Sequence, residues 1–281
     1  MFAKSFIPYG GYRCTPNAPS QGSIDNLHAI KFAADVTRKA LEARKISASS
    51  FSNLYLGMTV PAPASFYGAP WLAGMIGAEG ITGPVFSQAC ATSARVIGSA
   101  ARAVETEDDA SILCVTADRT SNGPHLLYQN PNNPGARGDT EDWVWDNFNR
   151  DPFVGNAMIQ TAENTAKDCN ISTAEQHETM LMRYAQYQKA LENDAAFHKK
   201  YMSVVDVNPS GRKVVATVMD DEGVFPTTAE GLGKLKPVLP DGTVTYGAQT
   251  YPADGNAGMI VTTKDKAREL SKDSKIEIQL L

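Results

Sequence analysis

Strand-forming runs alternate with helical segments through the first 117 residues, and this alternation is the strongest constraint on the fold. Residues 24–44 place apolar side chains at spacings of three and four, which predicts an amphipathic helix capped by Ser23 or Asp25. The apolar runs SNLYLGMTV, TGPVFSQAC and ASILCVTA predict strands, and APWLAGMIGA predicts a short helix. This order predicts an α/β layered fold in which most strand pairs are parallel.

The pattern changes between about Asp118 and Thr245. A stretch rich in proline and asparagine precedes one long helical segment, ISTAEQHETMLMRYAQYQKALEND, for which Thr173 and Gln176 form a candidate capping box. The last segment, NAGMIVTTKDKARELSKDSKIEIQLL, returns to strand, helix and strand. We therefore expect an insertion packed against an α/β core.

Composition excludes several classes of function. The net charge of −5 and the absence of a long basic run argue against nucleic acid or an anionic membrane as the main partner. No apolar run approaches the roughly 20 residues of a spanning helix, so we expect a cytoplasmic protein. The four cysteines form no CxxC pair, which predicts reduced thiols and no metal site.

Cys90 lies where an apolar strand gives way to an alanine-rich helix, in FSQACATSARVIGSAARAV. A helix N-terminus carries partial positive charge and unpaired N–H groups, which stabilise a thiolate and a developing oxyanion. The small neighbours Ala89, Ala91 and Thr92 leave room for an acyl group. From spacing alone, a nucleophile and a small core side chain are equally good interpretations of Cys90.

Three segments resemble the thiolase superfamily. SQACATSARVIGSAARAVETEDDASILCVTADRTSN resembles its nucleophile region, although ACATS is also similar to β-ketoacyl synthases. AMIQTAENTAKDCNISTAEQ and GLGKLKPVLPDGTVTYGAQTYPADGNAGMIV are similar to later thiolase segments, the second to a KLKP…GTVTAGN…DGAAA run. The resemblance implies one half of an αβαβα fold. Residues 1–117 and 255–281 would form its discontinuous N-terminal α/β domain with a mixed sheet, and 118–254 a largely helical, CoA-binding loop domain.

The resemblance also implies a site. Cys90 would accept an acyl group from a thioester and pass it to the α-carbon of acetyl-CoA, or act in the reverse direction. Met158 would line the pantetheine channel, and Gly247 and Thr250 would lie in the CoA-binding loop, where the Thr250 hydroxyl bonds the pantetheine amide. CoA and acyl-CoA would be substrates, with no permanently bound cofactor and no metal.

The chain also departs from the thiolase pattern. It contains neither the GHP motif nor the second CxG motif that thiolases use for the activating histidine and the proton-shuttling cysteine. Ala157 replaces a histidine that often precedes the channel methionine, Phe225 stands where an arginine is common, and Tyr251 adds bulk to the CoA loop. Of the four histidines, all predicted to be structural or on the surface, His125 is the one expected nearest the pocket.

These observations favour the nucleophile-bearing subunit of a split thiolase. We expect a smaller subunit to carry the C-terminal thiolase domain, activity only when both chains are present, and a higher oligomer formed by thiolase-type dimerisation. The alternative from another class is a non-catalytic acyl-CoA-binding or scaffold subunit, which the altered loop residues favour. A β-ketoacyl synthase-like condensing enzyme is a third interpretation, disfavoured by the thiolase-like loop domain.

Overall fold

The chain forms two structural units in this computed structural model, which describes residues 2–281 apart from 109, 122, 133, 134, 136 and 137. The first unit comprises the described parts of 1–122, 199–222 and 253–281, and the second those of 123–198 and 223–252. This grouping differs from the predicted loop domain, 118–254, mainly at 199–222. Four of the undescribed positions fall in the proline- and asparagine-rich stretch, so that part of the predicted insertion lies outside the described residues.

The elements are bounded as follows. The strands are β1 (Phe6–Ile7), β2 (Tyr12–Cys14), β3 (Ala18–Pro19), β4 (Asn53–Gly57), β5 (Val85–Phe86), β6 (Ser111–Asp118), β7 (His125–Tyr128), β8 (Asp139–Asp142), β9 (Val205–Val207), β10 (Ala216–Val218), β11 (Ala253–Thr262) and β12 (Ile278–Gln279). The α-helices are α1 (Ala29–Arg44), α2 (Gly68–Met75), α3 (Thr92–Thr106), α4 (Trp145–Asn149), α5 (Met158–Asp168), α6 (Thr173–Ala190), α7 (Glu192–Ala195), α8 (Ala229–Gly233) and α9 (Lys264–Leu270).

A mixed sheet runs through the first unit in the order β12-β1-β11-β6-β4-β5, and β2 and β3 also pair with β11. Only the β4–β5 and β4–β6 pairs of this described sheet are parallel. The prediction of mostly parallel pairing was therefore wrong, because β11 runs antiparallel to every strand it pairs with. In register, Gly57, Thr116, Ala257 and Cys14 form one row across four strands.

Side chains of β6 alternate between two cores, as expected of a strand buried on both faces. Leu113 and Val115 belong to the core built with α1 and α2, whereas Ile112 and Cys114 belong to the core built with α3. Cys114 is 3% exposed, and this burial raises the pKa of its thiol. Cys114 is thus a core residue, as its place in an apolar strand predicted.

The first helix starts later than its periodicity predicted. Helix α1 begins at Ala29, and its N-cap is His28, whose Nδ1 accepts the Ile30 N–H at 3.2 Å. Ile24 and Leu27 fit the helical pattern but lie in the preceding turns, where they belong to a buried cluster with valines of β9 and β10. This cluster and the backbone hydrogen bonds of Cys14 with Tyr201 and Ser203 join residues 199–222 to the first unit.

The second unit contains the β7–β8 hairpin and helices α4 to α8. Helix α6 has a capping box, but it is formed by Ser172 and Glu175 rather than by the predicted Thr173 and Gln176. Helix α6 ends at Ala190, short of the predicted 24-residue segment. In the described part of the chain, no helix combines the length and apolar character needed to cross a membrane.

Candidate functional site

Cys90 lies in the tight connection between β5 and α3. The strand ends at Phe86 and the helix begins at Thr92, so the sequence passes from strand to helix within five residues. The residue before the cysteine, Ala89, has φ 44°, a left-handed conformation that is uncommon for residues with a Cβ. The Cys90 side chain is exposed, so the connection presents its thiol to solvent at the start of a helix.

Two threonines hold this strained connection. The Thr92 hydroxyl donates to the carbonyl of Ala89 at 2.7 Å and accepts the N–H of Gln88 at 2.8 Å. The Thr59 hydroxyl also donates to the Ala89 carbonyl, at 3.0 Å. Because three hydrogen bonds converge on the residues before the cysteine, the backbone that carries Cys90 is fixed in place.

Helix α3 approaches the sheet closely at Gly57, the last residue of β4. A Cβ on Gly57 would lie 2.8 Å from Val96 Cγ2, 2.9 Å from Thr92 Cγ2 and 3.1 Å from Thr116 Cγ2. These distances are shorter than ordinary carbon contacts, so a side chain at position 57 would push the helix away. The glycine therefore allows α3, and with it Cys90, to lie against the end of β4.

The Cys90 thiol faces a cavity of about 280 Å³ within the first unit. Eight polar residues line this cavity besides Cys90: Cys14, Asn17, Thr59, Thr92, Ser93, Thr116, Asp118 and Asn256. The sequence analysis predicted none of these eight as a catalytic or CoA-binding residue, although it named Thr92 as a small neighbour of Cys90. A signal for three of them was present in the sequence: Thr116 and Asp118 lie at the end of β6, and Thr59 follows β4. Because parallel strands present their carboxyl ends at one edge of a sheet, these side chains are expected to lie close together.

Asp118 anchors the floor of this cavity. Its Oδ1 accepts the backbone N–H groups of Thr59 at 2.7 Å and Val60 at 2.9 Å. Burial raises the pKa of the Asp118 carboxyl, these hydrogen bonds oppose that shift, and nearby Asp254 adds to it. The carboxyl group thereby ties the segment after β4 to the end of β6.

Cys14 brings a second thiol to the cavity. It lies in the same row of the sheet as Thr116, with Ala257 between them. Burial raises the pKa of the Cys14 thiol, and Asp221 raises it further, whereas Arg13 lowers it. Cys14 is therefore a neutral, polarizable side chain at neutral pH rather than a second thiolate.

Among the described residues, no histidine of the first unit lines the Cys90 cavity. His28, the one histidine of that unit among the described residues, donates from Nε2 to the carbonyl of Pro63 at 2.7 Å while Nδ1 caps α1. His125 lies in the second unit on β7, where its side chain is 78% exposed and 3.8 Å from the Asp142 carboxylate. The described residues also contain no group of three or more His, Cys, Asp or Glu side chains suited to a metal ion.

The other predicted site residues all lie in the second unit. Met158 is the first residue of α5, and its side chain is 52% exposed. Gly247 lies in the single turn Tyr246–Ala248, where a Cβ would meet Leu232 Cδ2 at 2.4 Å. The hydroxyl of the exposed Thr250 is 3.4 Å from the backbone carbonyl of Tyr251. Gly247 therefore excludes a side chain, and Thr250 presents its hydroxyl group at the surface of its unit.

Comparison with known proteins gives a consistent family. The family model described as thiolase, N-terminal domain, matches residues 11–265. The acetyl-CoA acetyltransferase of Escherichia coli (strain K12) is 29% identical over 255 residues, which cover 88% of this chain and 63% of that protein. The β-ketoadipyl-CoA thiolase of Pseudomonas knackmussii is 27% identical over 266 residues, covering 91% of this chain and 65% of that protein. The chain thus spans less than two thirds of the length of these relatives.

Solved structures show the same fold. Human mitochondrial 3-ketoacyl-CoA thiolase in complex with CoA matches with a TM-score of 0.81 and 24% identity, over 95% of this chain and 66% of that one. The acetyl-CoA acetyltransferase of Bacillus anthracis matches with a TM-score of 0.80 and 23% identity, over 96% of this chain and 68% of that one. The predicted layered α/β fold with a mixed sheet is confirmed by these structures.

Proposed function

The chain belongs to the thiolase family through its N-terminal domain, and from that premise we propose that it carries the acyl-accepting nucleophile of a thiolase. The reaction would transfer an acyl group between CoA and the α-carbon of acetyl-CoA. One observation carries the proposal: Cys90 is exposed at the start of α3, on a backbone held by Thr59 and Thr92, and faces a cavity of about 280 Å³.

The proposed chemistry has two steps. The Cys90 thiolate attacks the thioester carbonyl, a bond forms between Sγ and the acyl carbon, and the CoA sulfur leaves and takes a proton. The deprotonated α-carbon of acetyl-CoA then attacks the acyl-cysteine, forms a carbon–carbon bond and releases the Cys90 thiolate. Thiolytic cleavage of a 3-oxoacyl-CoA is the same sequence in reverse. The partial positive charge at the start of α3 would stabilise the oxyanion that forms in each step.

The CoA substrate would be recognised by Met158, Gly247 and Thr250. Support comes from their surfaces: the Met158 side chain is half-exposed at the start of α5, and the Thr250 hydroxyl is exposed. The close packing of Gly247 on Leu232 and Leu235 explains why that position has no side chain. CoA enters and leaves as a substrate, and no permanently bound cofactor is proposed.

We also propose that a second, smaller polypeptide supplies the C-terminal thiolase domain. Proton removal from the α-carbon needs a base, and the described first unit presents only the neutral thiol of Cys14 and the hydrogen-bonded carboxyl of Asp118 beside Cys90. His28 is engaged with Pro63 and the α1 cap. The partner domain would bring the activating histidine and the second cysteine, and the complete enzyme would dimerise as thiolases do.

The nucleophile assignment is tested by intact-mass measurement after this chain, assembled with its partner, is incubated with acetyl-CoA. The chain should gain one acetyl group, and the adduct should be absent from Cys90→Ala and Cys90→Ser, because a hydroxyl is a far weaker nucleophile without a strong adjacent base. Cys169→Ser is the matched control, since Cys169 is also an exposed cysteine but lies in the second unit. An undiminished adduct in Cys90→Ala would refute the assignment.

The partner proposal is tested by expressing this chain with and without the candidate smaller subunit. Thiolysis of a 3-oxoacyl-CoA is expected only when both chains are present. Full thiolysis by this chain alone would contradict the need for a partner while leaving the nucleophile assignment intact.

A non-catalytic acyl-CoA-binding subunit is the second candidate function. The observation that favours it is the altered loop chemistry, in which Phe225 is 73% exposed and Tyr251 is 38% exposed at the positions where the thiolase pattern has other residues. Binding of several acyl-CoA chain lengths by the assembled protein, without any Cys90 adduct, would support this candidate over the enzyme.

A further inference from the structure

One carboxylate in the second unit holds the backbone just before the proposed CoA loop. The two oxygens of Glu163, on α5, accept the N–H of Thr243 at 2.9 Å each, and Oε1 also accepts the N–H of Val244 at 2.8 Å. The Thr243 hydroxyl donates to Oε2 at 3.0 Å. Hydrogen bonds to a charged acceptor are the strong ones, so this carboxylate fixes two consecutive residues.

Gly242 leaves space for the carboxylate of Glu163. A Cβ on Gly242 would lie 2.4 Å from Glu163 Oε1 and 2.9 Å from its Cδ, so a side chain at position 242 would displace the carboxylate. Burial raises the pKa of Glu163, but the N–H bonds from Val244 and Thr243 outweigh it, so the pKa is lowered overall. Glu163 therefore holds the segment as an anion at neutral pH.

Helix α6 holds the same segment from a second element. The Thr173 hydroxyl donates to the carbonyl of Thr243 at 2.7 Å, and Gln176 Nε2 donates to the Thr243 hydroxyl at 3.1 Å. His177 Nε2 lies 2.8 Å from the hydroxyl of Thr245, which is fully buried. Residues 243–245 are thus bonded to both α5 and α6.

This anchored segment leads directly into the turn that contains Gly247. The N–H of Ala248 donates to the carbonyl of Thr245 at 3.0 Å, which closes the turn. Gly247 packs against Leu232 and Leu235, and a Cβ at position 247 would lie 2.8 Å from Leu235 Cδ1. Thr250 follows two residues after the turn. A shift of 243–245 would therefore move the backbone on which Gly247 and Thr250 lie.

We propose that Glu163 is a positioning residue for CoA recognition, because its carboxylate, together with α6, fixes residues 243–245 and so presents Gly247 and Thr250 to the pantetheine arm. The inference rests on the proposed CoA-binding role of those two residues. Glu163 itself touches no substrate in this proposal. A residue needed only for folding would weaken every reaction of the chain equally, and this difference makes the proposal testable.

The test compares two acetyl donors on the full chain, together with its partner where one is required. Acetyl-CoA carries the pantetheine arm, whereas S-phenyl thioacetate carries the same thioester without it. In Glu163→Gln the amide NH2 group replaces an acceptor that faces N–H donors. We expect Cys90 acylation by acetyl-CoA at subsaturating concentration to slow roughly ten- to a hundredfold, while acylation by S-phenyl thioacetate changes less than about twofold.

Glu178→Gln is the matched control, because it removes the same charge from an exposed position on α6. It should acylate like the parent chain with both donors. If Glu163→Gln folds poorly, His177→Ala provides the second variant: it breaks the contact to the Thr245 hydroxyl and should slow acylation by acetyl-CoA selectively.

Each other outcome counts against the inference in a distinct way. An equal slowing with both donors would assign Glu163 a purely structural role. The positioning role would be overturned if Glu163→Gln and Glu178→Gln had the same rate of Cys90 acylation and the same half-saturating concentration of acetyl-CoA. A parent chain that forms no Cys90 adduct from either donor would instead overturn the proposed function on which the inference rests.

Discussion

Ala89 shows how a single backbone conformation places the nucleophile. Its φ of 44° turns the chain sharply between β5 and α3, and its carbonyl oxygen accepts the hydroxyl hydrogens of Thr59 and Thr92. A left-handed conformation costs a residue with a Cβ roughly 1–2 kcal/mol, which the surrounding hydrogen bonds must offset. Strain of this kind beside a candidate nucleophile is consistent with a fixed thiol geometry.

Ala89→Gly should therefore raise the free energy of unfolding by about 1 kcal/mol, because glycine adopts positive φ without a steric penalty. The same change should slow acylation of Cys90, since the connection gains freedom. Urea unfolding and the rate of adduct formation measure the two effects. A destabilised variant would mean that the methyl group of Ala89 contributes packing that outweighs the strain.

Gly57→Ala should lower the free energy of unfolding by about 1–3 kcal/mol, the usual cost of overpacking. The reason is the approach of the new Cβ to Val96, Thr92 and Thr116. Gly98→Ala, on α3 itself, is the control, because a Cβ there would have its nearest contact, Arg102 Nη1, at an ordinary 3.5 Å. That control should raise stability by up to about 1 kcal/mol through helix propensity. Equal effects in urea unfolding would contradict the close approach of α3 to β4.

At the scale of elements, α5 and α6 are joined through the segment that both of them bind. The lowered pKa of Glu163 means that the folded chain favours its ionised form. A carboxyl group of this kind contributes stability above its unfolded pKa, and the contribution is lost as the pH falls through the lower folded pKa. Acid should therefore loosen this junction.

We expect the difference in unfolding free energy between the parent chain and Glu163→Gln to shrink as the pH falls below about 4, the usual glutamate range. Urea unfolding at a series of pH values measures this difference. Glu178→Gln, an exposed change of the same charge, should show a much smaller dependence. If this difference in unfolding free energy grew as the pH fell, the pKa of Glu163 would be raised in the folded chain rather than lowered.

Local signals predicted local structure well and missed what depends on pairing over long distances. The strand-to-helix change at Cys90 follows from neighbouring residues. The start of α1 differs from the prediction because Ile24 fits the helical period, although it lies in a turn and belongs to the buried cluster that includes Val205. Cys14 and Asp118 join the Cys90 cavity only through the register of strands far apart in sequence, which periodicity does not contain.

At the scale of the whole molecule, the first unit is built from three separated stretches of sequence. The second unit is formed by residues that lie between those stretches. Strand β6 pairs along its whole length with β11, from Asp118 opposite Gly255 to Ser111 opposite Thr262. In the sheet that supports Cys90, β6 therefore pairs with a strand, β11, that lies 135 or more residues later in the chain.

This order of pairing has a consequence for synthesis on the ribosome. The strand β6 leaves the ribosome while its partner β11 has not been made, and at ordinary rates of translation the wait is on the order of ten seconds. During that time β6 has an open edge next to the turn that will hold Cys90. Stalled nascent chains ending before Ala253 should be cleaved readily by protease within 111–118, whereas chains with residues 253–262 outside the ribosome should resist. The cavity beside Cys90, which Ala253, Gly255 and Asn256 help to line, would thus be completed only after β11 has been made, a timing set by the position of one strand.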